Sequence, residues 1–294
     1  MRSVKLRPWL ILLSYWLSVS TFADARLAII IDDIGYNQAQ SERAARLKGN
    51  FTLAILPFTP YSSSSARLAH ERGKELMLHL PMSALNNQSL GKGGLVSGLD
   101  QAAFLNIVRQ DLASIPHIKG VNNHMGSRLT QEAEPMHWLM TELRSRGLYF
   151  VDSRTSAQTK AYEIAKTQKI PSLKRDVFLD DRNDPGAIEA ELNRAIKLAR
   201  KRGAAIAIGH PYPNTLLILE RLEPLLKKEG VKLVYASQLL PRANPPRSSQ
   251  PSPAVLKDEG TTYCSVPPNS LLFKLKTDVD SYDKLGIIPK QLFG

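Results

Sequence analysis

A chain of 294 residues, 43% hydrophobic and 22% charged, can bury a sizeable core of its own, which excludes a disordered or low-complexity polypeptide. The single cysteine, Cys264, excludes an intramolecular disulfide framework. The net charge of +12 sits largely on stretches such as LRSRG (143–147) and KLARKRG (197–203), which read as solvated helix faces. No aromatic-interleaved basic motif accompanies them, so nucleic acid is not an expected partner.

The first 25 residues differ from everything after them. Arg2, Lys5 and Arg7 precede an eleven-residue run, WLILLSYWLSV, and TFADA closes the segment with an Ala-x-Ala arrangement. A basic start, a short apolar run and small residues describe a signal peptide over residues 1–25, and the run is too short to span a bilayer. The expectation is therefore an exported protein, periplasmic in location and not inserted in the membrane after cleavage.

From residue 27 to about 237 one pattern recurs. Apolar runs that read as strands lie at 27–31, 52–56, 75–80, 118–122, 148–152, 173–179, 204–209 and 231–236. Stretches with helical spacing lie between them at 38–48, 62–73, 100–114, 130–146, 156–168, 186–202 and 214–229. Several end at a glycine, as helix C-termini favour. Alternating apolar strands and helices imply a parallel sheet under helices. The number of units fits a distorted (β/α) barrel of seven or eight parallel strands over residues 26–238, with a doubly wound open sheet as the alternative. The long polar connection NNQSLGKGGLVSG (86–98) has the character of a binding loop. Residues 239–260 read as a Pro/Ser-rich linker, and 261–294 as a tail with no clear period.

Reactive side chains collect at the ends of these strands. Asp32 and Asp33 follow the first, His79 closes the third, His124 follows the fourth, Asp152 closes the fifth, and His210 follows the seventh. In a parallel fold all strands point one way, so these groups converge on the carboxyl-end face, where such folds place their sites. A His/His/Asp set suits a divalent metal such as zinc with one position open to water, with a second carboxylate available as general base and a histidine as general acid. The structural alternative for the Asp pair is helix capping, but one carboxylate suffices for that and a second would be desolvated at a cost. No GxSxG elbow, Walker loop or GxGxxG loop is present.

The ordered set IIDDIG, HLPM, NNHMGS, VDSRT and IGHPYP resembles the divergent polysaccharide deacetylase family, distant relatives of carbohydrate esterases that deacetylate chitin and peptidoglycan sugars. The resemblance spans about residues 26–238 and implies a distorted barrel and a polysaccharide or peptidoglycan substrate. It implies Asp32 as base, Asp33 and His79 as metal ligands, and His210 as acid. Typical members carry a second ligand histidine four residues after the first; Ser83 stands there in this chain, and His124 is the substitute available. Asp152 and Arg154 are candidates for the site wall, with helix capping in VDSRTS as the alternative. Asp180, Asp181 and Arg175 are weaker candidates, since FLDDRNDP also reads as a turn into a helix. A non-catalytic glycan-binding protein, or a hydrolase of another bond such as a phosphoester, remains open from sequence.

Overall fold

The computed structural model describes residues 25–241. The tail assigned from sequence, the linker beyond Pro241, and all of the leader but its last residue lie outside the described residues.

Among the described residues nine strands form one parallel sheet. In chain order they are β1 (Ala25–Ile34), β2 (Thr52–Ile55), β3 (Glu75–Met82), β4 (Ile118–Met125), β5 (Tyr149–Asp152), β6 (Ser172–Lys174), β7 (Val177–Phe178), β8 (Ala204–Gly209) and β9 (Val231–Val234). The spatial order is β6-β5-β4-β3-β2-β1-β8-β7. Strand β1 serves three neighbours: β8 along Arg26–Ile31, β9 along Ala25–Ala28, and β2 from Ile30 to Ile34.

Among the described residues eight α-helices cover the outside: α1 (Gln38–Arg46), α2 (Ser62–Glu71), α3 (Gln101–Ser114), α4 (Ala133–Ser145), α5 (Ala161–Thr167), α6 (Pro185–Arg202), α7 (Pro213–Leu219) and α8 (Leu222–Glu229). Helix α6 shows how local sequence sets them. Asp184 caps it by accepting from Ala187 N at 2.9 Å, Pro185 supplies a preset φ where no N–H is needed, and Gly203 ends it at φ 82°. Ile188, Leu192, Ala195, Ile196 and Ala199 recur at helical spacing and are buried. Truncating Ile188 to Ala would cost about 2–5 kcal/mol through lost burial and the cavity left behind.

The strand alternation divides the core in two. Ile29, Ile31, Leu53 and Leu78 face the helices, whereas Ala28, Ile30, Ala54, Met77, Tyr149, Val151, Ile206 and Ile208 fill the barrel interior. Gly120 leaves room for the Tyr149 ring, whose atoms would lie 2.7 Å from a Cβ there. Along β3 the inward residues Glu75, Met77 and His79 mark three levels: a polar floor, an apolar middle and a polar mouth.

The distorted parallel barrel expected from sequence is the observed class, with two local corrections. The single strand expected over 173–179 is two strands at opposite ends of the sheet path, β6 on β5 and β7 on β8. The chain crosses between them at Arg175 and Asp176, whose backbone N–H groups donate to Asp152 O and Ile206 O. Charged side chains brace this crossing: Arg175 reaches Ser153 O and Arg154 O, and Asp176 accepts from Ile206 N. The helix expected over 214–229 breaks at Glu220–Arg221, because Pro224 cannot donate within a continuous helix and sits instead in the first turn of α8.

Candidate metal centre

Inward parity places the mouth residues. Asp32 continues the Ala28–Ile30 row, His79 the Glu75–Met77 row, His124 the Gly120–Asn122 row, and His210 the Ile206–Ile208 row. The same alternation would send Asp33 outward. It does not, because the β1–β2 register shifts between Ile31 and Ile34 and Asp33 takes φ 56°. A bulge with a left-handed residue re-aims a side chain, and Asp tolerates that conformation better than most residues. Two consecutive carboxylates thus face one centre. Gly35, at φ 120°, ends the turn under Thr59, whose Oγ1 would lie 2.3 Å from a Cβ there.

Asp33, His79 and His124 form the tightest cluster. Asp33 Oδ1 lies 2.9 Å from His124 Nδ1 and 3.2 Å from His79 Nε2, and the two nitrogens are 3.1 Å apart. These edges are close to the roughly 3.3 Å separating ligands around a tetrahedral ion with bonds of about 2.0–2.1 Å. Asp33 Oδ1 is buried and has no well-aligned hydrogen bond among the described residues, although both rings are near. Its neighbours are aimed at a shared point. The orphaned oxygen and the two nitrogens fit a divalent cation.

Asn122 fixes the protonation pattern behind this cluster. Its Nδ2 donates to Asp32 Oδ1 at 2.8 Å, so its Oδ1 accepts from His79 Nδ1 at 2.8 Å. That leaves the lone pair of His79 Nε2 directed at the centre. Sequence reasoning missed Asn122, yet the signal was there: it pairs with His79 across β3 and β4 and lies two residues before His124 on the same face.

The electrostatics call for positive charge. Burial raises the Asp32 carboxyl above its ordinary range, with the nearby His79 and His210 pulling it back. Burial alone would raise Asp33 too, but contacts from His124 and His79 hold it well below the usual carboxylate range. Burial opposes protonation of His79, and the charges of Asp32 and Asp33 more than offset it, raising its pKa.

His210 faces the centre from β8, with Nε2 3.8 Å from Asp33 Oδ2. Asp180 Oδ1 holds its Nδ1 at 2.9 Å, while Asp180 Oδ2 accepts from His210 N at 2.6 Å and Thr215 Oγ1 at 2.7 Å. Burial would lower the His210 pKa, but Asp180, helped by Asp33 and Asp32, raises it to about 9. The weak sequence candidate Asp180 is therefore the residue that orients His210. Pairing of β7 with β8 brings FLDD alongside IGHP.

Asp152 and Arg154 do not join the centre. Asp152 is fully buried and spends both oxygens on its own loop, accepting from Arg154 N, Thr159 Oγ1 and Tyr162 N at 2.8, 2.8 and 3.2 Å. It is an Asx-type brace for the turn into α5, as the capping alternative would have it. Arg154, at φ 51°, is exposed and makes no ion pair among the described residues. Asp181 lines a neighbouring cleft.

The polar centre lies at the carboxyl mouth of a distorted parallel barrel, the end at which α/β folds of this class place their sites. This chain belongs to the divergent polysaccharide deacetylase family, whose model matches residues 29–240. It is 37% identical over 230 residues to the uncharacterized protein YibQ of Escherichia coli (strain K12), covering 78% of this chain and 72% of that one. It is 38% identical over 200 residues to an uncharacterized protein of Haemophilus influenzae, covering 68% and 71%. Among solved structures, that of the uncharacterized protein ATU2773 from Agrobacterium tumefaciens C58 is similar, with a TM-score of 0.72 and 25% identity over 79% of this chain and 92% of that one.

Proposed function

We propose that the protein is a metal-dependent hydrolase that removes acetyl groups from a cell-wall or exported polysaccharide. The observation that carries this reading is the convergence of Asp33 Oδ1, His79 Nε2 and His124 Nδ1, with Asp32 and His210 facing the same point. Asp33, His79 and His124 would hold the cation, zinc by its donor set. Such an ion polarises a carbonyl and lowers the pKa of bound water from 15.7 to about 7.

The chain's own residues supply the proton transfers. Asp32 Oδ1 is engaged by Asn122, which leaves Oδ2 free to take a proton from the attacking water. Its raised pKa makes it a stronger base than an exposed carboxylate. His210, kept protonated to about pH 9 and oriented by Asp180, gives its proton to the leaving amine or alkoxide. Tyr36, Phe58 and Tyr212 are exposed on the loops after β1, β2 and β8, and Tyr212 stacks on His210 at 5.2 Å. Exposed rings of this kind suit the apolar faces of sugars. The leader-like first 25 residues support a periplasmic location, and no helix among the described residues is long and apolar enough to cross a membrane.

Metal analysis and acetate assays on purified protein test the reading. One equivalent of divalent metal, lost in Asp33→Asn and His124→Ala, together with acetate release from an acetylated glycan, is the expected result. Protein that takes up no metal on reconstitution and releases no acetate overturns it.

A further inference from the structure

A cleft of about 570 Å³ lies beside β7 and the first half of α6, within the range of small-ligand sites. Its charged lining is Arg175, Arg182, Arg194, Asp181 and Glu191. Arg194 and Glu191 satisfy one another, with Nε donating to Oε2 at 2.7 Å. That leaves two guanidiniums against the one carboxylate of Asp181. Neither Arg175 nor Arg182 has a carboxylate within 4.0 Å among the described residues.

Arg175 is held ready rather than neutralised. Its Nε and Nη2 donate to Ser153 O at 2.6 Å and Arg154 O at 2.8 Å, and its Cζ lies 4.9 Å from the centre of the Phe178 ring. Bracing the β6–β7 crossing uses two of its five N–H donors and leaves three for a further partner. Burial, then Arg154, lower its pKa, while the charges of Asp32 and Asp152 act the other way without pairing it. Arg182 does no comparable structural work.

Phe178 joins this cleft to the metal centre. It lines the cleft and packs edge-to-face on His210 at 5.4 Å. One aromatic ring thus separates the Arg175 guanidinium from the candidate acid.

We propose that this cleft is an anion subsite, and that the glycan reaching the metal centre carries a carboxylate or phosphate group seated between Arg175 and Arg182. The glycan half of this statement rests on the hydrolase reading; the anion half does not. A planar guanidinium recognises either oxyanion through paired N–H donors.

Binding measurements on the full chain test it. An oligogalacturonate and its methyl ester share one sugar backbone, and the ester lacks the carboxylate charge. The acid form is expected to bind about tenfold or more tightly at low salt, the scale of one charge-assisted hydrogen bond, with the preference shrinking as salt rises. Arg182→Gln should remove the preference and leave affinity for the ester unchanged. Arg175→Lys, which keeps the charge but not the fork, should reduce it. Displacement of the acid by free galacturonate points to a carboxylate, and displacement by inorganic phosphate to a phosphate. Equal affinity for acid and ester, or a preference that survives both substitutions, overturns the subsite. Asp33→Asn separates the two readings. A charge preference retained in a protein with neither metal nor acetate release leaves the subsite standing without the hydrolase. Acetate release without any charge preference does the reverse.

Discussion

The two ends of the barrel interior each bury a carboxylate oxygen, and they treat it in opposite ways. At the floor, Glu75 Oε1 accepts from Thr52 Oγ1, Tyr149 OH and Ser237 N at 2.9, 2.9 and 3.1 Å. At the mouth, Asp33 Oδ1 has two imidazoles within 3.2 Å and no aligned hydrogen bond. The floor is saturated by the chain itself, so its polarity is structural. The mouth is left one positive partner short, and that deficit is what a cation would fill.

Breaking the mouth should have the largest effect on chemistry. Asp33→Asn or His124→Ala is expected to lose the metal and lower acetate release by at least about 10³-fold, with little change in urea midpoint. Glu75→Ala should do the converse, leaving metal content intact while costing about 1–3 kcal/mol in urea unfolding for each group left unpaired. A Glu75→Ala protein that folds normally but loses its metal would sink the contrast.

His210 sharpens it next. His210→Asn should lower kcat about 10²- to 10⁴-fold. Because His210 titrates near 9, above its ordinary 6.5, it is protonated at neutral pH and activity should fall as pH rises through about 9. Asp180→Asn removes the chief cause of that elevation and should move the fall to lower pH. The stability from the His210–Asp180 pair is present in full below pH 6.5 and is lost through about pH 9.

The smallest effect is expected at Asp111 on α3, which breaks the rule in an instructive way. It is fully buried with both oxygens unpaired, packed against Gly93, and burial raises its pKa to about 8. With no imidazole cluster around it, its deficit is met by a proton rather than an ion. A carboxyl raised in the folded state loses stability as pH rises from about 4 to 8. Asp111→Asn should therefore raise the melting temperature above pH 6 and flatten its pH dependence, without touching acetate release.

Much of the mouth was legible in the sequence because strand ends and side-chain parity are periodic signals. Asp32, His79, His124 and His210 sit where those periods put them. Asp33 did not follow from parity, since a bulge is a one-residue departure with no compositional mark. Asn122 and Asp180 were obscured for a different reason: each matters through a cross-strand neighbour, and pairing partners are set by topology rather than by nearby sequence. The split of LKRDVFL into two strands had the same origin. Its apolar run is continuous, but the barrel needs its halves on opposite edges.

The left-handed backbone at Asp33 has a practical consequence for anyone wishing to silence the site. Two selections act on that one position, one for a short anionic ligand and one for a residue that accepts φ 56°. Asp meets both; Asn and Gly meet only the second, and a β-branched residue meets neither. An inactive form intended to trap bound glycan is therefore best made as Asp33→Asn, where the main chain has no reason to rearrange and any lost affinity can be assigned to the missing charge and the cation it would hold.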